Sequence, residues 1–246
     1  MGSLPRRDLV RAASIGAVVV AASLCNAAPI ETVALEGRRL FNDASLGTTG
    51  LACATCHADF DEKALPDGLI RPGHQLPGVS KRTASVGWGF TGEGAIAKAM
   101  GACTGHFLRG KGVPGTDFDP AAELSAEQTG ALIAYLDAVA TGSEPLTLDA
   151  GRIAGAEDLG MASQAIATLT GDGARGRTLF FAACNSCHPA GAAGIGKSVV
   201  ESKFAGTGLA RYVRNGGRVM PWFTSDRLTD QDVADILAFI QTLKGQ

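Results

Sequence analysis

Apolar residues recur at helical spacing in two stretches of the chain, one near the middle and one at the C-terminus. They lie three and four positions apart, which is the period of one helix face. These residues are Leu132, Ile133, Leu136 and Val139 in the first stretch, and Val233, Ile236, Leu237 and Ile240 in the second. Ser125 with Gln128 predicts a cap before the first helix, and Thr229 with Asp232 predicts one before the second. Since no convincing alternation of a β-strand appears, the pattern predicts an all-α fold.

The same order of short elements occurs twice along the chain. The string Gly37-Arg38-Arg39-Leu40-Phe41 opens the first copy, and Gly176-Arg177-Thr178-Leu179-Phe180 opens the second. Each copy ends in one of the two capped helices. Repetition of a whole order predicts two small domains in tandem, and the chain of 246 residues is long enough for both.

The repeat sets the expected domain boundaries. Domain one is expected at 31–142 and domain two at 171–246. Residues 143–170 form a linker that contains a short helix over 156–169. Met161 lies in that helix, where we expect it to pack in or over a core rather than to serve as a ligand.

Each predicted domain contains one C-x-x-C-H motif. The residues are Cys53, Cys56 and His57 in the first motif, and Cys184, Cys187 and His188 in the second. This pattern is the attachment signature of c-type haem, because two thiols add to the two vinyl groups of the porphyrin and the histidine ligates the iron. A zinc site needs a second ligand pair, and a redox dithiol has no use for the histidine. The sequence therefore predicts two covalently attached haem c groups and a dihaem cytochrome c.

Residues 1–28 have the pattern of an export signal. Arg6, Arg7 and Arg11 form a basic start, an apolar stretch follows at 15–24, and small residues at 25–28 suit cleavage. The basic start also resembles a twin-arginine signal. Haem is attached after export of an unfolded chain, which favours the general secretory route. We expect a periplasmic protein whose signal is removed.

Charge and hydropathy narrow the range of partners. The chain has 22 Lys and Arg against 24 Asp and Glu, a net charge of −2. This balance predicts no nucleic-acid partner and no anionic membrane surface. The apolar stretch at 15–24 is shorter than the roughly 20 residues of a spanning helix, so the mature chain is expected to be soluble. Periplasmic redox proteins are the expected partners.

The repeated layout resembles the class I cytochrome c fold. In that fold the first and last helices cross, and a glycine on the first lets an aromatic ring of the last approach. The resemblance implies that Gly37 meets Tyr135 and that Gly176 meets Phe239. It also implies a methionine ligand in a Met-Pro loop before the last helix. Met220, followed by a proline, occupies that position, so we expect its thioether to complete the second haem.

The sixth ligand of the first haem has several candidates. Cys103 is the odd cysteine of an exported chain, with Met100 before it and His106 after it. His74 is a further candidate, although we expect it on the surface. A thiolate ligand lowers the reduction potential of haem iron, whereas a thioether raises it. The identity of this ligand therefore separates two functions.

Cys103 and the Gly110-Lys111 pair that follows it resemble the pattern of dihaem thiosulfate dehydrogenases and, less closely, the haem subunit of the sulfur-oxidising complex. The resemblance implies that the cysteine sulfur ligates one haem and that the protein oxidises a small sulfur anion. Lys81, Arg82, Arg109 and Lys111 would suit such an anion, although we slightly favour their interpretation as ordinary solvated surface charge.

Two functions follow from these alternatives. With two thioether ligands the protein is a single-electron carrier, which we favour. With Cys103 on the first haem it is a small oxidoreductase acting on an anion such as thiosulfate. A dihaem peroxidase is a remote alternative, with a faint resemblance at Lys81-Arg82-Thr83 and Trp88.

Overall fold

The computed structural model describes residues 32–58, 67–73, 76, 78–85, 87–139, 156–190, 194–201, 206–217 and 219–245. The α-helices within these ranges are α1 (Thr32–Phe41), α2 (Cys53–Cys56), α3 (Ala95–Cys103), α4 (Ala126–Val139), α5 (Ala156–Thr168), α6 (Gly173–Ala183), α7 (Thr207–Asn215) and α8 (Asp230–Lys244). Among these residues, β pairing is limited to two isolated bridges, so the all-α prediction is confirmed. The export segment 1–28, the first part of the linker and His74 lie outside the described residues.

Helices α1 and α4 cross in the first half of the chain. A Cβ atom on Gly37 would lie 1.9 Å from the carbonyl oxygen of Ala131 and 2.7 Å from Cβ of Tyr135. Only glycine permits this approach, so the predicted contact between Gly37 and Tyr135 is confirmed. The Tyr135 ring packs edge-on against Phe41, with 5.5 Å between ring centroids, in the core of this half.

Helices α6 and α8 repeat the crossing in the second half. A Cβ atom on Gly176 would lie 1.9 Å from the carbonyl oxygen of Asp235. Phe239 follows Asp235 by four residues, as Tyr135 follows Ala131 in the first crossing. Its ring packs against Phe180 of α6, with 5.4 Å between centroids. The contact of Gly176 with Phe239 itself stays a prediction, since the nearest atoms to that Cβ belong to Asp235 and Ile236.

Both predicted caps are present. At α4, the backbone N–H of Gln128 donates to Oγ of Ser125 at 3.1 Å, and the N–H of Ser125 donates to Oε1 of Gln128 at 3.0 Å. At α8, Thr229 and Asp232 form the same reciprocal pair. These bonds satisfy amide groups that the first helical turn leaves without partners.

Helix α5 packs against α7 and α8 and so belongs to the packing of the second half. Its Ile166 is 1% exposed and joins the core that contains Phe180 and Phe239. Met161 points the other way and is 59% exposed, so the expected core or covering role for this methionine is wrong. The described helices include none that combines the length and apolar character needed to cross a bilayer.

Candidate functional site

The first C-x-x-C-H motif forms one helical turn, α2. The N–H of His57 donates to the carbonyl oxygen of Cys53 at 2.9 Å, which places these two residues on the same side of the turn. The N–H of Ala52 donates to Oγ1 of Thr55 at 3.0 Å and caps the turn. The motif is therefore held in helical form by its own backbone and by the threonine between its cysteines.

The second motif forms a turn at the C-terminal end of α6. The N–H of His188 donates to the carbonyl oxygen of Cys184 at 2.8 Å, as in the first motif. Nδ1 of His188 lies 2.8 Å from the carbonyl oxygen of Lys197, and a carbonyl can only accept. Nδ1 therefore carries the proton in the neutral ring, and Nε2 has the free lone pair that a metal ligand needs.

Two glycines lie directly against the histidine rings. Gly73 contacts the ring of the first motif, and Gly196 contacts the ring of the second. The N–H of Gly73 donates to the carbonyl oxygen of Cys56 at 2.7 Å, and the N–H of Gly196 donates to that of Cys187 at 2.8 Å. A Cβ atom would lie 2.4 Å from Nδ1 of His57 at the first position and 2.2 Å from Cε1 of His188 at the second. Sequence analysis missed both glycines, because they follow their motifs at different separations and in unlike strings.

The first motif opens into a cavity of about 220 Å³ whose walls are mainly apolar. Cys53, Cys56 and His57 line it together with Met100 and Cys103. Two of the candidate ligands for the first haem thus share a cavity with the attachment residues. Both lie near the C-terminal end of α3, which leads into a π-helical turn over Thr104–Leu108. Such turns are frequent at functional sites because they shift side chains relative to a regular helix.

Cys103 has one defined hydrogen-bond partner among the described residues. The indole N–H of Trp88 donates to Sγ of Cys103, with 3.1 Å between nitrogen and sulfur. Burial raises the pKa of the Cys103 thiol to about 11, and the bond from Trp88 acts in the opposite direction. Trp88 also lines the cavity, and the role of its N–H could not be seen in the sequence pattern.

His106 occupies a different position from the other candidates. Its Nδ1 lies 3.1 Å and 2.8 Å from the carbonyl oxygens of Lys111 and Gly112, and its ring packs edge-on against Phe107. His106 does not line the cavity in the described part of the chain. The structure therefore groups Met100 with Cys103 and separates His106 from them.

Met220 lies on the wall of this same cavity. It is half-buried, and Val219, Pro221 and Trp222 of its loop line the cavity with it. The Met-Pro loop of the second half thus faces the motif of the first half. Trp222 also approaches the first half at Gly87, where a Cβ atom would lie 3.8 Å from its ring.

The basic groups near the first motif have different environments. Arg109 and Lys111 donate to the two carboxylate oxygens of Glu123 at 2.9 Å and 2.6 Å, and the Glu123 side chain is only 3% exposed. Their charges therefore stabilise the fold beside the π-helical turn. Arg82 instead lines the cavity, where burial lowers the pKa of its guanidinium, and Lys81 is exposed.

The residues of both motifs fit covalent haem. Burial raises the pKa of the Cys53 and Cys184 thiols to about 12, so these sites disfavour a charged sulfur. A thioether carries no charge and suits such surroundings. Each motif adds an imidazole held against a glycine, and the apolar cavity supplies three further sulfur donors near the first motif, which are those of Met100, Cys103 and Met220. This donor set is that of c-type haem.

Comparison with known families supports the same assignment for both halves. Residues 34–140 match the family model described as Cytochrome c, and residues 171–240 match the model described as Cytochrome C oxidase, cbb3-type, subunit III. No curated protein matches the chain. The two matches lie in tandem and follow the α1–α4 and α6–α8 crossings.

The chain is therefore a cytochrome c of the class I type, with two such domains in tandem. Domains of this class bind haem c covalently and transfer electrons through it. The protein is accordingly a haem electron-transfer protein, as the sequence predicted.

Proposed function

We propose that the chain is an exported dihaem cytochrome c that carries single electrons between redox proteins of the periplasm. One observation carries the proposal: both motifs have the same local geometry. In each, the histidine N–H binds the carbonyl of the first cysteine, and a glycine N–H binds that of the second. A motif that had lost its haem would have no need for a glycine pressed against the histidine ring.

The proposal assigns a role to each residue of the two motifs. The thioether-forming residues are Cys53 and Cys56 in domain one and Cys184 and Cys187 in domain two, and the proximal iron ligands are His57 and His188. Met220 is assigned to the second haem as its sixth ligand on the basis of its Met-Pro loop before the last helix, although the cavity that it lines adjoins the first motif. Its thioether favours ferrous iron and gives that site a high potential, as an electron exit requires.

The proposal is tested on protein purified from the periplasm of an expression host that attaches haem c. The mature chain should begin after residue 28 and carry two covalent haems by mass spectrometry and by haem absorbance. A variant with Cys184→Ala and Cys187→Ala should carry one. A wild-type chain with one covalent haem, or one retained in the cytoplasm with its N-terminus intact, would contradict the proposal.

A second function, oxidation of a small sulfur anion, is favoured by one observation. The N–H of Trp88 donates to Sγ of Cys103. A hydrogen bond of this kind tunes the reduction potential of an iron that is ligated by a thiolate. With Cys103, rather than Met100, on the first haem, the low-potential site would draw electrons from the anion and pass them to the Met220 site. Among the described residues that line this cavity, Arg82 is the one Lys or Arg.

The two functions differ in a direct assay. Purified protein is mixed with thiosulfate and an artificial electron acceptor, and reduction of the acceptor is followed by absorbance. The oxidoreductase predicts turnover that is lost in Cys103→Met and retained in Glu93→Gln, a change at an exposed loop residue. The carrier predicts no turnover, with both haems still reduced and oxidised by redox mediators.

A further inference from the structure

A short segment of domain one, residues 67–73, lies between the two C-x-x-C-H motifs and is bonded to both halves. At one end, Gly73 donates to the carbonyl oxygen of Cys56 at 2.7 Å. In the middle, the N–H of Ile70 donates to the carbonyl oxygen of Ala182 at 3.0 Å, near the end of α6 and just before the second motif. The segment therefore touches the backbone beside each haem-attachment turn.

Arg71 is the most connected residue of this segment. Its side chain is 3% exposed, and its Nε donates to the carbonyl oxygen of Ala54, inside the first motif, at 2.7 Å. Its guanidinium also pairs with Asp67. Its own carbonyl oxygen accepts from Nη1 of Arg227 in domain two at 2.8 Å. One buried arginine thus links the first motif to the second domain.

Packing also holds this segment against the second half. The Ile70 side chain packs against the hydrophobic core of domain two, although the residue belongs to domain one. Together with the bond from its N–H to Ala182, this contact fixes the segment beside the end of α6, where the second motif begins.

We propose that Arg71 is a positioning residue that fixes the two haem-attachment turns relative to each other for electron exchange between them. The inference rests on the dihaem assignment above. The exchange moves one electron from one site to the other, with no bond broken and no proton transferred. Its rate depends on separation and orientation, so small displacements of one turn against the other slow it strongly.

The test compares three variants of the full exported chain. Arg71→Gln removes the guanidinium that holds the first motif. Arg227→Met removes the bond from domain two to the carbonyl oxygen of Arg71 and leaves the contact between Arg71 and Ala54 in place. Arg211→Gln is the control, because Arg211 is an exposed arginine on α7. Haem content and folding are first compared by mass spectrometry and circular dichroism.

Exchange is then measured by injecting one electron with a photosensitiser and following both haem absorption bands. Spin–spin broadening in the EPR spectrum of the oxidised protein reports the inter-haem geometry separately. We expect exchange to slow by about tenfold or more in Arg71→Gln and Arg227→Met, with weaker broadening, and to stay within about twofold of wild type in Arg211→Gln.

Exchange rates and broadening unchanged in Arg227→Met would overturn the role of the segment, even if Arg71→Gln does not fold. Electron exchange that is slowed in Arg227→Met no more than in Arg211→Gln would overturn it as well. Failure of the dihaem assignment is distinct, because it appears in the wild-type chain as fewer than two covalent haems before any kinetic experiment.

Discussion

The indole N–H of Trp88 donates to Sγ of Cys103, with 3.1 Å separating the two atoms inside the cavity that adjoins the first C-x-x-C-H motif. Indole nitrogen is a donor only, so the sulfur must act as the acceptor. A thiolate accepts more strongly than a thiol, and hydrogen bonds to a ligating sulfur alter the potential of the iron. This pair therefore offers a direct way to determine which residue is the sixth ligand of the first haem.

The oxidoreductase function predicts that Cys103→Met replaces a thiolate ligand of the first haem by a thioether. The thiolate-type low-spin EPR signal of the oxidised protein would then disappear and the potential of that site would rise, because a thioether favours ferrous iron. Low-temperature EPR with near-infrared magnetic circular dichroism measures both changes. Spectra with methionine-type bands at both sites, unchanged in the variant, would assign the first site to Met100 and leave Cys103 as a packing residue.

The same function predicts that Trp88→Phe lowers the potential of the first haem. Without the N–H bond the sulfur donates more electron density to iron, which favours the ferric state. A hydrogen bond of about 1 kcal/mol corresponds to a shift of ~40 mV for one electron. Potentiometric titration measures the shift. The matched control is Trp88→Phe made in the Cys103→Met variant, where the shift in potential should vanish. An equal shift in both backgrounds would contradict the prediction.

The sequence predicted the parts of this structure that depend on local patterns. Helical spacing and reciprocal caps fixed α4 and α8, because those signals lie within one turn of each helix. The contact of Gly37 with Tyr135 followed from the repeated layout. By contrast, the contact of the Phe239 ring with Phe180 depends on how whole side-chain surfaces of α6 and α8 interlock, which no local pattern specifies.

The site was predicted only as far as its motifs extend. The cysteines and histidines of C-x-x-C-H are contiguous, so their chemistry is visible in the sequence. The glycines at 73 and 196 and the arginine at 71 act through tertiary contacts with no fixed separation from the motifs. The exposure of Met161 was missed for a related reason, because a helix pattern does not say which neighbour covers each face.

Gly196→Ala should disturb the second haem site. The new Cβ atom would lie 2.2 Å from Cε1 of His188, so the ring must turn away from its bond to Lys197. We expect lower haem incorporation or a high-spin fraction in the optical spectrum of that site. Gly160→Ala on α5 is the control, since its Cβ atom would meet nothing within 4 Å and alanine favours helix. Equal spectra for both variants would contradict the prediction.

Met220→His should lower the potential of one haem, because imidazole favours ferrous iron less than a thioether does. Methionine-type near-infrared bands of one site should be lost at the same time. Met161→His is the matched control, because Met161 is 59% exposed on α5, and its spectrum should equal that of wild type. Retention of every methionine band in Met220→His would remove Met220 from the ligand set.

Glu123→Gln should destabilise the fold in a pH-dependent way. Burial alone would raise the pKa of Glu123, but the bonds from Lys111 and Arg109 outweigh it and hold the pKa below its ordinary value of 4.5. A lowered folded pKa means that the stabilisation is present above pH 4.5 and declines as the pH falls below it. We expect a loss of about 1–3 kcal/mol at pH 7 that diminishes below pH 4.5, measured by urea unfolding. Glu93→Gln, an exposed control, should change stability little at either pH, and a pH-independent loss in Glu123→Gln would contradict the ion-pair role.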